Sequence, residues 1–168
     1  MVNIIEMKSI NKNVKIGHVH LKVSNLDRSL DFYCGVLGFI LKQRISDQAA
    51  FIAAGDYHHH IGLNTWESNN GASPPVGSTG LYHLAILYPE RKELADALQR
   101  LQSHNITLTG ASDHGVSEAL YLDDPDKNGV ELYWDRPQNM WPKDENKNRT
   151  MYIKPLDLRS LLDEVEKK

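Results

Sequence analysis

The chain has 168 residues, of which 40% are hydrophobic and 24% are charged, and this balance predicts one globular domain or two small modules that share a core. A net charge of −3, with dispersed lysines and arginines, disfavours nucleic-acid binding. No apolar run approaches the roughly 20 residues of a membrane span, and no signal peptide is evident, so we expect a soluble, cytoplasmic protein without a membrane partner.

The first half of the chain is predicted to be a leader followed by a strand–helix–strand–strand–strand (βαβββ) module. The leader comprises residues 1–15, which are mostly polar. Ser24 or Asn25 is suited to cap a helix that Gly38 ends. The module occupies residues 16–66, and its strands are predicted at residues 16–23, 39–45, 49–53 and 58–65.

The same order returns after a linker, residues 67–79, which is rich in Gly, Ser, Asn and Pro. The second module occupies residues 80–135, with Pro89 in the first turn of its helix and strands predicted at residues 81–88, 106–109, 119–122 and 129–134. One repeat of this size cannot bury its concave face alone, so two copies should pack together. The predicted fold is therefore α+β: paired βαβββ modules form a curved, partly open mixed sheet around a metal-binding cavity, with the helices outside.

Residues 136–168 are predicted to be a tail. Residues 151–153 could add an edge strand, and Asp157 is suited to cap a short amphipathic helix. We expect this helix to dock on its own domain or on a partner subunit, and the second case would give a homodimer.

Two histidines at matching strand positions, together with one glutamate, point to a metal. His18 and His83 lie on the first predicted strand of each module, and Glu131 lies on the last strand of the second. Two neutral imidazoles and one carboxylate leave a divalent ion with one net positive charge and with exchangeable positions for substrate oxygens. The alternative is that both histidines are hydrogen-bonded sheet residues, and their repeated position together with Glu131 favours metal binding.

Other polar side chains are expected to face the same cavity. His20 follows His18 by two residues, and it either orients a substrate or covers polar backbone. Within the run of histidines at 58–60, only His60 shares a strand face with Asn64. We therefore expect His20, His60 and Asn64 to contact the substrate.

Several motifs resemble one known family. They are LDRSLDFY at residues 26–33 with LGF at 37–39, and DPDKNGVELY at residues 124–133. Together with the paired modules, they resemble the vicinal oxygen chelate superfamily, which includes glyoxalase I, fosfomycin and bleomycin resistance proteins, and extradiol dioxygenases. Residues 80–141, with DHGVSEALY at 113–121, are similar to the first half of two-domain bacterial catechol 2,3-dioxygenases.

The resemblance implies a metal triad of His18, His83 and Glu131. The fourth ligand position of glyoxalase I falls on Gly62, which favours a three-ligand site. Tyr121 matches a substrate-contacting tyrosine and His114 an acid/base histidine, so both are expected to be catalytic.

The implied function is that of an extradiol dioxygenase-like oxidoreductase that acts on a small aromatic diol. Its expected cofactor is Fe(II), and zinc, manganese or nickel would support Lewis-acid chemistry instead. The alternatives are a glyoxalase-type lyase or isomerase and a non-catalytic protein that binds a small molecule.

Overall fold

The N-terminal module is a four-stranded sheet covered by one irregular helix, in a computed structural model that describes residues 9–166. Asn25 caps the helix by accepting the N–H of Arg28 at 2.9 Å, and Gly38 follows the helix with a φ of +85°. The sheet order is β1-β4-β3-β2, with β1 parallel to β4. The elements are β1 (Val19–Lys22), α1 (Leu26–Leu30) continued by a π-helical segment (Asp31–Val36), β2 (Ile40–Ile45), β3 (Ala49–Ala53) and β4 (Ile61–Asn64).

The C-terminal module is a five-stranded sheet with one long helix. Its strand order is β5-β8-β7-β6-β9, and the tail supplies the last of these strands. The elements are β5 (Leu84–Tyr88), α2 (Arg91–Ser103), β6 (Gly110–Asp113), β7 (Ser117–Asp123), β8 (Gly129–Asp135), a 3₁₀ turn (Gln138–Met140), β9 (Lys154–Pro155) and α3 (Leu158–Glu166).

The predicted α+β fold of paired βαβββ modules is confirmed, with one difference in how the sheet is assembled. In the part of the chain that the structure describes, β1 pairs only with β4 and β5 only with β8, so the curved sheet is divided into two. A cavity of about 550 Å³ lies at the junction and is lined by residues of both first strands. His18 and His83, which immediately precede those strands, line it from either side.

Several predicted strands are placed differently. Those predicted at residues 16–23 and 81–88 begin only at Val19 and Leu84, so His18 and His83 precede their strands instead of lying on them. The strand predicted at residues 106–109 is wrong. Ile106 donates its N–H to the Leu101 carbonyl at 2.9 Å, and this bond caps the C-terminal end of α2. The apolar residues of this segment therefore pack on the core from the loop that follows α2. The predicted strand at 58–65 begins only at Ile61, and the three histidines before it lie in a bend. The tail pairs with β6 through Lys154–Pro155 rather than through residues 151–153.

The tail helix docks on its own chain. Asp157 caps α3 by accepting the N–H of Ser160 at 3.0 Å, as predicted. Leu161 is fully buried against the common core, and Arg91 of α2 donates to Glu164 of α3 at 2.8 Å. The apolar stripe of α3 is therefore used within the chain. No helix among residues 9–166 is both long and apolar enough to cross a membrane.

A buried carboxylate links the two modules. Asp124, which is 2% exposed, lies between β7 and β8. It accepts the Tyr33 hydroxyl at 3.0 Å, the N–H groups of Asp126 and Asn128 at 2.8 Å each, and the side-chain amide of Asn128 at 2.9 Å. Burial, reinforced by the negative charge of Asp124, raises the pKa of Tyr33, so its hydroxyl remains a donor.

The neighbouring carboxylate fixes the start of the first helix. Asp126 accepts the backbone N–H of Ser24 at 3.0 Å and the Ser24 hydroxyl at 2.6 Å. The Arg28 guanidinium completes the contact at 2.5 Å. The loop that leads into β8 therefore bonds directly to the N-terminal module.

We expect Tyr33→Phe to lower the free energy of unfolding by about 1–3 kcal/mol, because a buried carboxylate loses one of its four donors. Urea denaturation followed by circular dichroism measures the change. The matched control is Tyr57→Phe, since Tyr57 is exposed. Equal midpoints for the two variants would contradict the role given to the Tyr33 hydroxyl.

Candidate active site

Four side chains form a connected polar group on the C-terminal sheet. His83 Nε2 lies 2.9 Å from Glu131 Oε2. The Tyr121 hydroxyl donates to the other carboxylate oxygen of Glu131 at 3.2 Å, and His114 Nε2 lies 2.8 Å from the same hydroxyl. The order of contacts is therefore His83, Glu131, Tyr121, His114.

Strand register explains why these residues meet. Tyr121 in β7 is paired directly with Glu131 in β8, and the loop closed by Asp124 sets that register. His83 immediately precedes β5, which runs parallel to β8. Gly129 permits this approach, because a Cβ at that position would collide with the carbonyl oxygen of Tyr82.

The environment of Tyr121 keeps it protonated. Burial raises the pKa of Tyr121 to about 12, with a further contribution from the negative charge of Glu131. The phenol therefore acts as a hydrogen-bond donor at neutral pH and not as a base. His83 Nδ1 is buried and, among residues 9–166, has no hydrogen-bond partner.

The group opens into a cavity of about 510 Å³. His83, His114 and Tyr121 form one part of its wall. Ser112 and Ile153 form other parts, and Ile153 belongs to the tail. Ile153 was not predicted to line the site, because the sequence indicates an edge strand at residues 151–153 but not where in the fold that segment lies.

His18 does not join this group. Its ring packs against that of His59, with 4.5 Å between the ring centroids. Within residues 9–166, no three His, Cys, Asp or Glu side chains are grouped so that they could hold one metal ion. The structure thus brings His83 and Glu131 together, whereas His18 only shares the lining of the junction cavity with His83.

His20 lies flat on the N-terminal sheet, and this explains Gly62. A Cβ on Gly62 would lie 2.8 Å from His20 Cδ2. The His20 ring also makes edge contacts with Phe51 and Trp66, at centroid distances of 5.9 and 5.4 Å. The side chain missing at Gly62 therefore makes room for an imidazole of the same module.

The other two substrate-contact candidates bond within the N-terminal module. His60 Nδ1 accepts the N–H of Ala54 at 3.3 Å, and the ring lines the junction cavity. Asn64 is buried, and its side-chain oxygen accepts the N–H of Trp66 at 3.3 Å. His60 is thus exposed to a cavity, whereas the carbonyl oxygen of Asn64 is occupied.

Comparison with known proteins agrees with this architecture. The model of the Glyoxalase/Bleomycin resistance protein/Dioxygenase superfamily matches residues 15–132. The chain belongs to this superfamily. A solved glyoxalase/dioxygenase from Nostoc punctiforme superposes with a TM-score of 0.60 at 22% identity, over 77% of this chain and 100% of that one, and supports the same fold.

Two curated relatives of the superfamily are dioxygenases by name. The catechol-2,3-dioxygenase of Bacillus subtilis (strain 168) is 45% identical over 160 residues, which are 95% of this chain and 55% of the relative. Biphenyl-2,3-diol 1,2-dioxygenase 2 of Rhodococcus globerulus is 31% identical over 72% of this chain and 63% of its own length. The chain therefore spans a little over half the length of these two relatives.

We expect Gly62→Ala to destabilise the protein by about 1–3 kcal/mol, because the new methyl group overlaps the His20 ring. The cost should largely disappear in the His20→Ala background, which gives a coupling of about 0.5–3 kcal/mol in a double-mutant cycle measured by urea denaturation. Gly35→Ala is the control, since a Cβ at Gly35 meets no atom within 4 Å. Additive effects of the two substitutions would show that the ring does not occupy this space.

Proposed function

We propose that the chain is a metal-dependent, extradiol dioxygenase-like oxidoreductase that acts on a small aromatic diol. The observation that carries the proposal is the contact of Glu131 with both His83 and Tyr121, with His114 behind Tyr121. Two candidate metal ligands, His83 and Glu131, therefore lie beside a phenol and an imidazole, which are groups that can donate and accept protons. The 45% identity to a catechol-2,3-dioxygenase supports the choice of reaction.

The spacing of His83 and Glu131 fits one bound cation. Two donors about 2.1 Å from an ion, at right angles to each other, are roughly 3.0 Å apart. His83 Nε2 and Glu131 Oε2 are separated by 2.9 Å. The hydrogen bond from Tyr121 to the second oxygen of Glu131 is the kind of contact that orients a ligating carboxylate.

We propose His18 as the third ligand. It lines the junction cavity together with His83, on the opposite module. Its imidazole would have to leave His59 and turn toward His83, and the exposure of His18 leaves room for that rotation. A bound Fe(II) supplies Lewis acidity toward two adjacent hydroxyl groups and one-electron chemistry toward dioxygen, whereas zinc, manganese or nickel would supply Lewis acidity.

Tyr121 and His114 would have different roles in hydrogen bonding and proton transfer. The Tyr121 hydroxyl, which donates to Glu131, would donate a hydrogen bond to an oxygen atom of the substrate. His114 would be the acid/base group toward a diol hydroxyl, since an imidazole can both accept and donate a proton. The Tyr121 hydroxyl has one proton, so it can donate to Glu131 or to His114 but not to both at once.

The test is anaerobic reconstitution with ferrous iron, followed by exposure to air and a panel of catechols. We expect a yellow ring-opened product from the wild type and none from His83→Ala or Glu131→Gln. Both variants should also lose more ferrous affinity than the roughly 10–100-fold that indirect changes around a metal cost. His104→Ala is the control, because His104 is exposed at the end of α2.

Two outcomes would contradict the proposal. Ferrous binding that is unchanged in both variants would remove the metal assignment. Full iron loading with no cleavage of any catechol would remove the dioxygenase assignment and favour a glyoxalase-type lyase or a protein that only binds its ligand.

A further inference from the structure

We propose that the tail segment at residues 142–155 is part of the site: Tyr152 positions His114, and Ile153 limits the size of the ligand. The segment lies beyond residue 132, where the superfamily match ends. The part that concerns the ligand rests on the proposed function. The part that concerns His114 does not.

The tail reaches the site as an ordered hairpin. Asp144 closes a tight loop by accepting the N–H groups of Asn146 and Asn148 at 2.9 and 2.8 Å. The flanking residues Lys143 and Arg149 form a β-bridge, and Thr150 donates its N–H to the Pro142 carbonyl at 3.0 Å. The chain therefore enters residues 151–153 from a fixed direction.

Tyr152 packs on the backbone beside His114. Gly115 has a φ of +78°, and a Cβ there would lie 2.6 Å from Tyr152 Cε1 and 2.8 Å from Pro142 Cγ. Both rings thus rest against the glycine with no space for a side chain. Tyr152 also donates its backbone N–H to the His114 carbonyl at 3.3 Å.

The other side of His114 is fixed by a carboxylate. Asp113 accepts the N–H of Gly115 at 2.8 Å and the Arg136 guanidinium at 2.7 Å. Tyr152 therefore contacts Gly115 and the His114 carbonyl, while Asp113 holds the preceding side of the turn. The imidazole between them has its Nε2 2.8 Å from the Tyr121 hydroxyl.

Ile153 lies at the entrance of the cavity of about 510 Å³ beside Tyr121. It lines the same space as His83, His114 and Tyr121, and it is 80% exposed, which places it at the rim. A branched aliphatic side chain there meets the part of a ligand that points away from Glu131. For a diol held near Glu131, this part is the ring substituent.

Nitrogen-15 NMR of histidine-labelled protein tests the positioning role, with the His114 signals assigned from His114→Gln. We expect Tyr152→Ala to shift the Nε2 resonance of His114 and to leave that of His104 unchanged. Tyr152→Phe keeps the ring on Gly115 and should remain close to the wild type. The control is Met151→Ala, whose side chain is exposed.

An unchanged His114 resonance in folded Tyr152→Ala would overturn the positioning role. Should that variant fail to fold, Tyr152→Leu retains apolar volume but not the flat ring contact, and the same shift is expected. A wild-type spectrum for Tyr152→Leu would equally overturn it.

Calorimetric binding of catechol and of 4-tert-butylcatechol to the iron-loaded protein without dioxygen tests the size limit. We expect Ile153→Ala to improve the affinity for the bulky ligand relative to catechol by about tenfold, and Ile153→Phe to reduce it. Met151→Ala should leave the ratio unchanged. A constant ratio in both Ile153 variants would overturn the size limit.

Failure of the proposed function has a different signature. A wild-type protein that binds neither diol contradicts the aromatic-diol assignment and the size limit together. The His114 spectra then still decide the positioning role by themselves.

Discussion

The two modules and the candidate site depend on one buried carboxylate, that of Asp124. A buried charge is tolerated only when its oxygens are fully hydrogen-bonded, and Asp124 meets this condition with four donors. Three of them close its own loop, and the fourth is the Tyr33 hydroxyl of the other module. The same interaction therefore holds the modules together and sets where β8 begins, two residues before Glu131.

The two sheets carry chemically different sets of side chains. The C-terminal module holds the connected acid, phenol and imidazole, whereas the N-terminal module presents a surface of rings around His20 and His59. A cation bound by His18 as well as by His83 would connect the two surfaces across the junction cavity. Its binding free energy would then stabilise the packing of the two modules against each other, as metal binding commonly does for the structure that provides the ligands.

Local patterns predicted the paired modules, and the family resemblance assigned Tyr121 and Glu131 to one site without predicting that they contact each other. An antiparallel pair joined by a short loop fixes which residues face each other, so a spacing of ten residues carries three-dimensional information. Local sequence patterns did not predict structure that depends on contacts with residues distant in the sequence. The alternation of Ile106 and Leu108 resembles a strand, yet both residues pack from a coil that caps α2. Gly62 gave no sign of the His20 ring above it, because that contact depends on the register of β1 with β4.

An anaerobic crystal structure of the protein loaded with ferrous iron, with the metal located by anomalous scattering, tests the proposed metal site most directly. We expect a single strong peak bonded to His83 Nε2 and to a carboxylate oxygen of Glu131, with the imidazole of His18 turned away from His59 as the third protein ligand. A peak held by His58 and His59 instead, or iron-loaded crystals in which His83 and Glu131 contact no metal, would contradict it.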